Sequence, residues 1–288
     1  MVTLENDAVL VEIAAHGAEL QRLFSKASKL EYLWNADSTY WGKHSPILFP
    51  FVGSLKANLY LYEGKSYEMS RHGFAREKIF EIEQVANQEV LFTLRDDEAT
   101  RLVYPFKFLL TVRYRLDKKR LTCTYEVNNS SASKLYFSIG GHPAFRVPNT
   151  PETVYTDYFL KFNNDKSIVR WKLKDGLISD ISEQIELVDN QLPLSPQLFC
   201  DDAIVLKNMR SNEVMLGNRK NGHGLLFHFE NFPYFGIWAA KDAPFVCLEP
   251  WCGIADNVNH NQQLTEKEGI INLAPGECWT REWSVELF

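Results

Sequence analysis

An alternation of apolar and polar residues with a period of two constrains this chain more than any other feature. At Phe106, Phe108, Leu110, Val112, Tyr114 and Leu116 every second residue is apolar, with Lys107, Thr111, Arg113 and Arg115 between them. That period belongs to a pleated strand with one face buried. After Asp117-Lys118-Lys119-Arg120 the alternation resumes at Leu121, Cys123, Tyr125 and Val127, so the two runs read as a β-hairpin. A second hairpin is expected over 58–69, turning at Glu63-Gly64-Lys65. Further strands are expected over 79–85, 90–94, 134–139, 154–162, 203–207, 214–217, 225–229, 235–239, 245–248 and 279–288. The 19 Phe, 12 Tyr and 7 Trp suit pleated surfaces better than helix faces. One short helical turn is expected over 182–189, capped by Ser182. The expected fold is a single all-β domain over 1–288, a large antiparallel β-sandwich of two or more packed sheets.

Composition narrows the function classes. With 45% hydrophobic and 24% charged residues in 288, the chain can bury a core and is not disordered as a whole. Its 37 acidic and 31 basic residues, a net charge of -6, argue against a nucleic-acid partner. The longest apolar stretch, around 46–53, is far short of the ~20 residues that cross a bilayer, so no membrane partner is expected. Glu5, Asp7 and Glu12 stand where a secretion signal would be basic and then apolar. The five cysteines include no C-x-x-C pair, which argues against a disulfide framework or structural zinc. A soluble, reduced, cytoplasmic protein is expected.

Three segments interrupt the strand pattern. In Arg71-His72-Gly73-Phe74-Ala75-Arg76 the flanking guanidinium groups favour a neutral His72, and Gly73 permits close backbone approach; a polar turn after a hairpin is the alternative. In Gly140-Gly141-His142-Pro143 a β-run ends in residues that cannot continue a ladder. His142 then either points along the sheet towards a ligand or fills a strand-end loop. In the run from Phe245 to Gly253 the alternation puts Glu249 on one face with Phe245, Cys247 and Trp251. A carboxylate on an apolar face is costly, and desolvation raises its pKa towards that of a general base near neutrality. The alternative is an edge strand whose glutamate turns outwards or binds an arginine.

No H-x-H, H-E-x-x-H, P-loop, G-x-G-x-x-G or G-x-S-x-G is present, so metal, nucleotide and serine-nucleophile chemistry have no support. Two histidines and a carboxylate far apart in sequence suit proton transfer without a cofactor.

At this point the sequence resembles the aldose 1-epimerase (galactose mutarotase-like) family. The tags that carry the resemblance run in order along the whole chain. They are Gly17-Ala18-Glu19-Leu20, Pro46-Ile47-Leu48-Phe49-Pro50, His72-Gly73-Phe74-Ala75-Arg76 and Gly141-His142-Pro143. Asp202-Ala203, Cys247-Leu248-Glu249-Pro250-Trp251 and Leu273-Ala274-Pro275-Gly276-Glu277 complete the set. The resemblance implies a β-supersandwich with a sugar cleft across one sheet and no cofactor.

It also implies roles. Glu249 matches the base that takes the C1 hydroxyl proton, and His142 the acid that protonates the ring oxygen. His72 matches a second histidine that hydrogen-bonds near the ring oxygen, and Asp202, next to Asp201, the carboxylate that holds sugar hydroxyls. In Gly53-Ser54-Leu55-Lys56, relatives usually carry arginine where this chain has Ser54. Lys56, Arg71 and Arg76 are the candidate replacements. Arg71 and Arg76 keep a hexose-6-phosphate 1-epimerase as the alternative, since guanidinium forks suit phosphate. A non-catalytic carbohydrate-binding protein, stacking sugar on Trp34, Trp41, Trp238 or Trp251, and a glycosidase pairing Glu249 with Asp202 or Asp256 are the other readings. The expected partner is a small sugar, with the chain a monomer or homodimer.

Overall fold

A computed structural model describes all 288 residues. The hairpin expected from the clearest alternation is present: Phe108–Asp117 pairs antiparallel with Arg120–Asn129 over ten residue pairs. These two strands lie within a nine-stranded sheet. Its order is Gln191–Pro193, Tyr158–Phe162, Glu213–Asn218, Leu225–His228, Cys278–Leu287, Arg120–Asn129, Phe108–Asp117, Glu89–Arg95 and Glu81–Ala86. A second sheet runs Leu177–Glu186, Ser167–Lys174, Ile204–Lys207, Tyr234–Trp238, Phe245–Cys252, Ile139–Gly141 and Ile47–Leu48, with Ala144–Arg146 also on Phe245–Cys252. The named strand pairings are antiparallel, as alternating runs joined by short turns require.

The sheets enclose one apolar core of 61 buried residues. Strand Phe245–Cys252 shows how the site is placed relative to it. Val246, Leu248 and Cys252 enter this core. Phe245 and Cys247 belong instead to one small cluster with Trp34 and Ala144, and Trp251 to another with Leu48, Val52 and Ala255. Glu249 lies between the two clusters on the same face, where the period of two put it. The second sheet therefore turns one side to the core and builds a trough with the other.

One expectation fails locally, and strand Ser167–Lys174 has no counterpart among those expected. The stretch 182–189 is not helical: residues 182–186 belong to strand Leu177–Glu186, which pairs with Ser167–Lys174 from Ser167 opposite Glu186 to Lys174 opposite Leu177, and 187–189 follow it towards a turn. Ladder hydrogen bonds to a long neighbour outweigh a weak serine cap. Strand Ser167–Lys174 itself is hidden in sequence by its run of Arg170, Lys172 and Lys174. The α-helix of the fold is Glu98–Val103, which starts at Asp97 with Thr100 N–H donating to the Asp97 carboxylate. No helix is long and apolar enough to cross a membrane.

Candidate active site

Strand Ile139–Gly141 and strand Ala144–Arg146 are two pieces of one run alongside Phe245–Cys252. Ile139 lies opposite Cys252, Gly140 opposite Trp251, and Ala144 opposite Cys247. The same register carried across the gap sets His142 opposite Glu249. The ladder breaks because Pro143 has no N–H to donate and the residues before it are glycines. At Gly140 a Cβ would stand 2.6 Å from the Trp251 ring, so the glycine makes room for that indole. His142 is tied down from the other side, its N–H donating to Pro46 O at 3.1 Å.

The result is a cavity of about 450 Å³ on the outer face of the second sheet. Glu249, His142, His72, Asp202, Arg71, Arg76 and Trp251 all line it. These seven residues, all singled out from sequence, thus converge from four separate segments. Lys56 does not: its ammonium donates to His260 O at 3.1 Å, and it is absent from the cavity wall. Asp201, the neighbour of Asp202, is exposed and outside the lining. Of the four tryptophans, Trp41, Trp238 and Trp251 line the cavity. Trp34 lies behind, its indole N–H donating to Trp41 O at 2.9 Å.

His142 Nε2 lies 3.3 Å from Glu249 Oε2. Glu249 is 2% exposed, and its Oε2 has no hydrogen-bond partner, nor has His142 Nδ1. Burial drives the Glu249 pKa well above the usual carboxylate range; Asp202 adds to this and the Arg71 charge opposes it. Burial likewise pulls His142 down to about 3, with Arg71 and Arg76 pushing the same way. Trp41 contributes to that burial by stacking on the imidazole at 4.8 Å between centroids, and Trp238 meets it edge-on at 5.6 Å. Burial thus favours the uncharged form of each group. Together they favour a neutral pair, carboxylic acid beside imidazole, one proton shift away from carboxylate beside imidazolium.

His72 has its ring 5.8 Å from that of His142. Its pKa is lowered first by burial, then by His142, Arg71 and Arg76, so desolvation outweighs the flanking arginines from which a neutral His72 was expected. His72 adopts φ +71 and Asp202 φ +70, left-handed conformations costly for residues other than glycine. Each is held by neighbours. His72 N–H donates to Gly53 O at 3.0 Å. Arg170, buried in the second sheet, donates to the carbonyls of Asp201 and Asp202 at 3.0 and 3.1 Å. Gly73 closes on Phe49, whose carbonyl would lie 2.3 Å from a Cβ there.

The hairpin between Ser167–Lys174 and Leu177–Glu186 supplies Leu173, Gly176 and Ile178 to the wall, a contribution missed with its strands. Its tip packs on Ser54, whose hydroxyl would be 3.0 Å from a Cβ at Gly176. The space that a longer side chain at 54 would need is occupied by this tip. His142, Cys247 and Glu249 offer ligand atoms within 4.8 Å of one another. Burial raises the Cys247 thiol well above its ordinary pKa, which disfavours the thiolate that a zinc ion requires.

A profile of the aldose 1-epimerase family matches residues 1–286. The chain belongs to that family. It is 31% identical over 297 residues to the chromosomal protein LacX of Lactococcus lactis subsp. lactis, covering 99% of each. Its fold is similar to that of a galactose mutarotase related enzyme from Lactobacillus acidophilus, with TM-score 0.95, 36% identity, and coverage of 100% of this chain and 97% of the other. A galactose mutarotase-like protein from Lactobacillus casei ATCC 334 superposes with TM-score 0.94 at 32% identity, covering 100% of both chains. The family supports a general epimerase or mutarotase role with a sugar as substrate.

Proposed function

We propose that this chain is a cofactor-independent aldose 1-epimerase that interconverts the α and β anomers of a free hexose such as galactose or glucose. The observation that carries the reading is the opposed His142–Glu249 pair at 3.3 Å, both groups buried in a cavity wall. Anomer exchange needs one proton removed from the C1 hydroxyl and one delivered to the ring oxygen. Both oxygens are bonded to C1, so acid and base must be neighbours.

Ring opening starts from the carboxylate–imidazolium form. Glu249 takes the C1 hydroxyl proton, the carbonyl forms, the C1–O5 bond breaks, and His142 delivers its proton to O5. Glu249 is then the acid and His142 the neutral base. That is the proton distribution that burial favours for the pair. After rotation about C1–C2 the C5 hydroxyl adds to the other carbonyl face, His142 takes its proton back and Glu249 reprotonates O1. No proton is exchanged with water over the cycle. Each positioned acid or base contributes roughly 10²–10⁴-fold. In this reading His72 hydrogen-bonds the ring-oxygen region, Asp202 accepts from sugar hydroxyls, and Trp41, Trp238 and Trp251 exclude water.

A second reading has one supporting observation: Arg71 and Arg76 both reach the cavity, and a hexose 6-phosphate would find two guanidinium groups there. Arg76 is already engaged, with Nη2 donating to Arg71 O and Nε 3.5 Å from Glu77. That engagement favours the free sugar. Saturation-transfer NMR of glucose, galactose and their 6-phosphates with the wild-type protein decides between them. Faster exchange of a free hexose is expected; acceleration confined to the phosphates selects the second reading, and acceleration of none removes both.

A further inference from the structure

His72 faces two hydrogen-bond donors and can satisfy one. Gly53 N–H donates to its Nδ1 at 3.1 Å, and Arg71 Nε lies 3.1 Å from its Nε2. A neutral imidazole carries one proton and accepts at one nitrogen only. Which donor wins decides which nitrogen keeps the proton. Arg71 is an exposed side chain, whereas Gly53 is backbone whose position depends on a buried ion pair.

That pair is Asp256–Lys267, at 2.7 Å with both side chains about 1% exposed. Lys267 Nζ also donates to Ile254 O at 2.6 Å, so the ammonium ties the Ile254 carbonyl and the Asp256 carboxylate together across Ala255. Ala255 packs on Gly53 so closely that a Cβ at Gly53 would stand 2.5 Å from the Ala255 Cβ. The other carboxylate oxygen of Asp256 accepts Lys56 N–H at 2.9 Å, and Asp256 N–H donates to Ser54 O at 2.9 Å. Residues 53–56 are thereby bracketed on both sides. Gly53 and His72 then lock each other, His72 N–H to Gly53 O and Gly53 N–H to His72 Nδ1.

We propose that Asp256 and Lys267 are positioning residues that fix the His72 tautomer, keeping Nδ1 as acceptor and the proton on Nε2. The consequence for catalysis rests on the mutarotase reading. With Nε2 protonated, His72 donates to the sugar oxygen at the ring; with Nδ1 protonated it has no donor to offer there. Loosening the 53–56 backbone hands the competition to Arg71, which takes Nε2 as its acceptor and moves the proton to Nδ1. A sugar entering the cavity displaces Arg71 instead, because the backbone donor does not yield. Burying an ion pair is costly, and this use of it gives that cost a role.

The test is the ¹⁵N NMR spectrum of the histidine rings, with His72 assigned by comparison with His72→Gln. The wild type is expected to show an unprotonated Nδ1 and a protonated Nε2. Lys267→Met leaves a buried carboxylate unpaired and risks misfolding, so Asp256→Asn/Lys267→Met is made beside it as a neutral pair of similar volume. In whichever variant folds, the Nδ1-protonated form is expected to become the major one. Its kcat is expected to fall about tenfold, with KM changed much less, as for groups that orient a catalytic ring. A wild type already protonated at Nδ1 overturns the proposal, as does a folded double variant with unchanged His72 ring signals. Ring signals that shift as expected in a protein without epimerase activity keep the positioning role and defeat the mutarotase reading.

Discussion

His142 stands opposite Glu249 across a ladder that is broken where the two face each other, Nε2 to Oε2 at 3.3 Å. A continuous pair of strands would have turned the backbone groups of both towards one another and left the side chains side by side. The Gly-Gly-His-Pro sequence prevents that. It frees the His142 ring to meet the carboxylate over the sheet, and it leaves Gly140 small enough to admit Trp251. The acid–base pair is thus a product of strand register, placed on rigid elements and separated from water by Trp41 and Trp238.

Replacement of Glu249 should separate activity from stability. The folded protein prefers Glu249 protonated, so its contribution is present below the unfolded pKa of 4.5 and is lost as pH rises above it. Glu249→Gln removes that loss. Its Tm should exceed that of the wild type at pH 7, by an amount that shrinks towards pH 4, while turnover falls at least about 100-fold. Thermal melts from pH 4 to 8 check the sign; an equal Tm at every pH would contradict the burial of an uncompensated carboxyl.

His142 gives the opposite slope. Its pKa is near 3 in the fold against 6.5 unfolded, so its contribution is full above pH 6.5 and is lost as pH falls towards 3. Because Glu249 acts in the opposite direction over the same range, the His142 effect is read as a difference: between pH 6.5 and 4 the wild-type Tm should fall relative to that of His142→Asn. Parallel curves for the two proteins would show that His142 is not held neutral.

Trp41 stacks on the His142 ring and restricts its access to water. Trp41→Ala should raise the His142 pKa, read from its ring signals in an NMR titration, and should raise KM about fivefold, the worth of roughly 1 kcal/mol of aromatic contact. Its indole is attached to a loop whose backbone carbonyl is already held by Trp34, so the loop should keep its course.

Ser54→Arg is expected to harm the protein. The hairpin tip at Gly176 rests on Ser54, and an arginine would have to push it aside. Overpacking of this kind costs about 1–3 kcal/mol, so Tm should fall by a few degrees, with no gain in sugar affinity by KM. A variant of unchanged Tm and lower KM would mean that the tip moves freely.

Much of this site could be read from sequence because a period of two assigns faces without knowledge of partners. Glu249 was placed on the face of Cys247 and Trp251, and His142 at a break, by local pattern alone. What pattern does not carry is pairing between strands a hundred residues apart, so the His142–Glu249 contact needed the fold. Lys56 was misplaced for a related reason: its segment lies near the cavity, but Asp256 and His260, some 200 residues on, turn it away. Strand Ser167–Lys174 and its partner were obscured by charged residues on an exposed edge, and with them went the hairpin that fills one wall. Lys267 gave no signal, since a lone lysine in sequence is ordinarily solvated.

The most direct test of the central claim is saturation transfer between the anomers of galactose and of glucose, with wild type, Glu249→Gln and His142→Asn run at equal concentration. The account predicts faster exchange with wild type and at least about a 100-fold loss in each variant. Exchange that is equally fast in either variant, or absent in wild type despite measurable sugar binding, would contradict it.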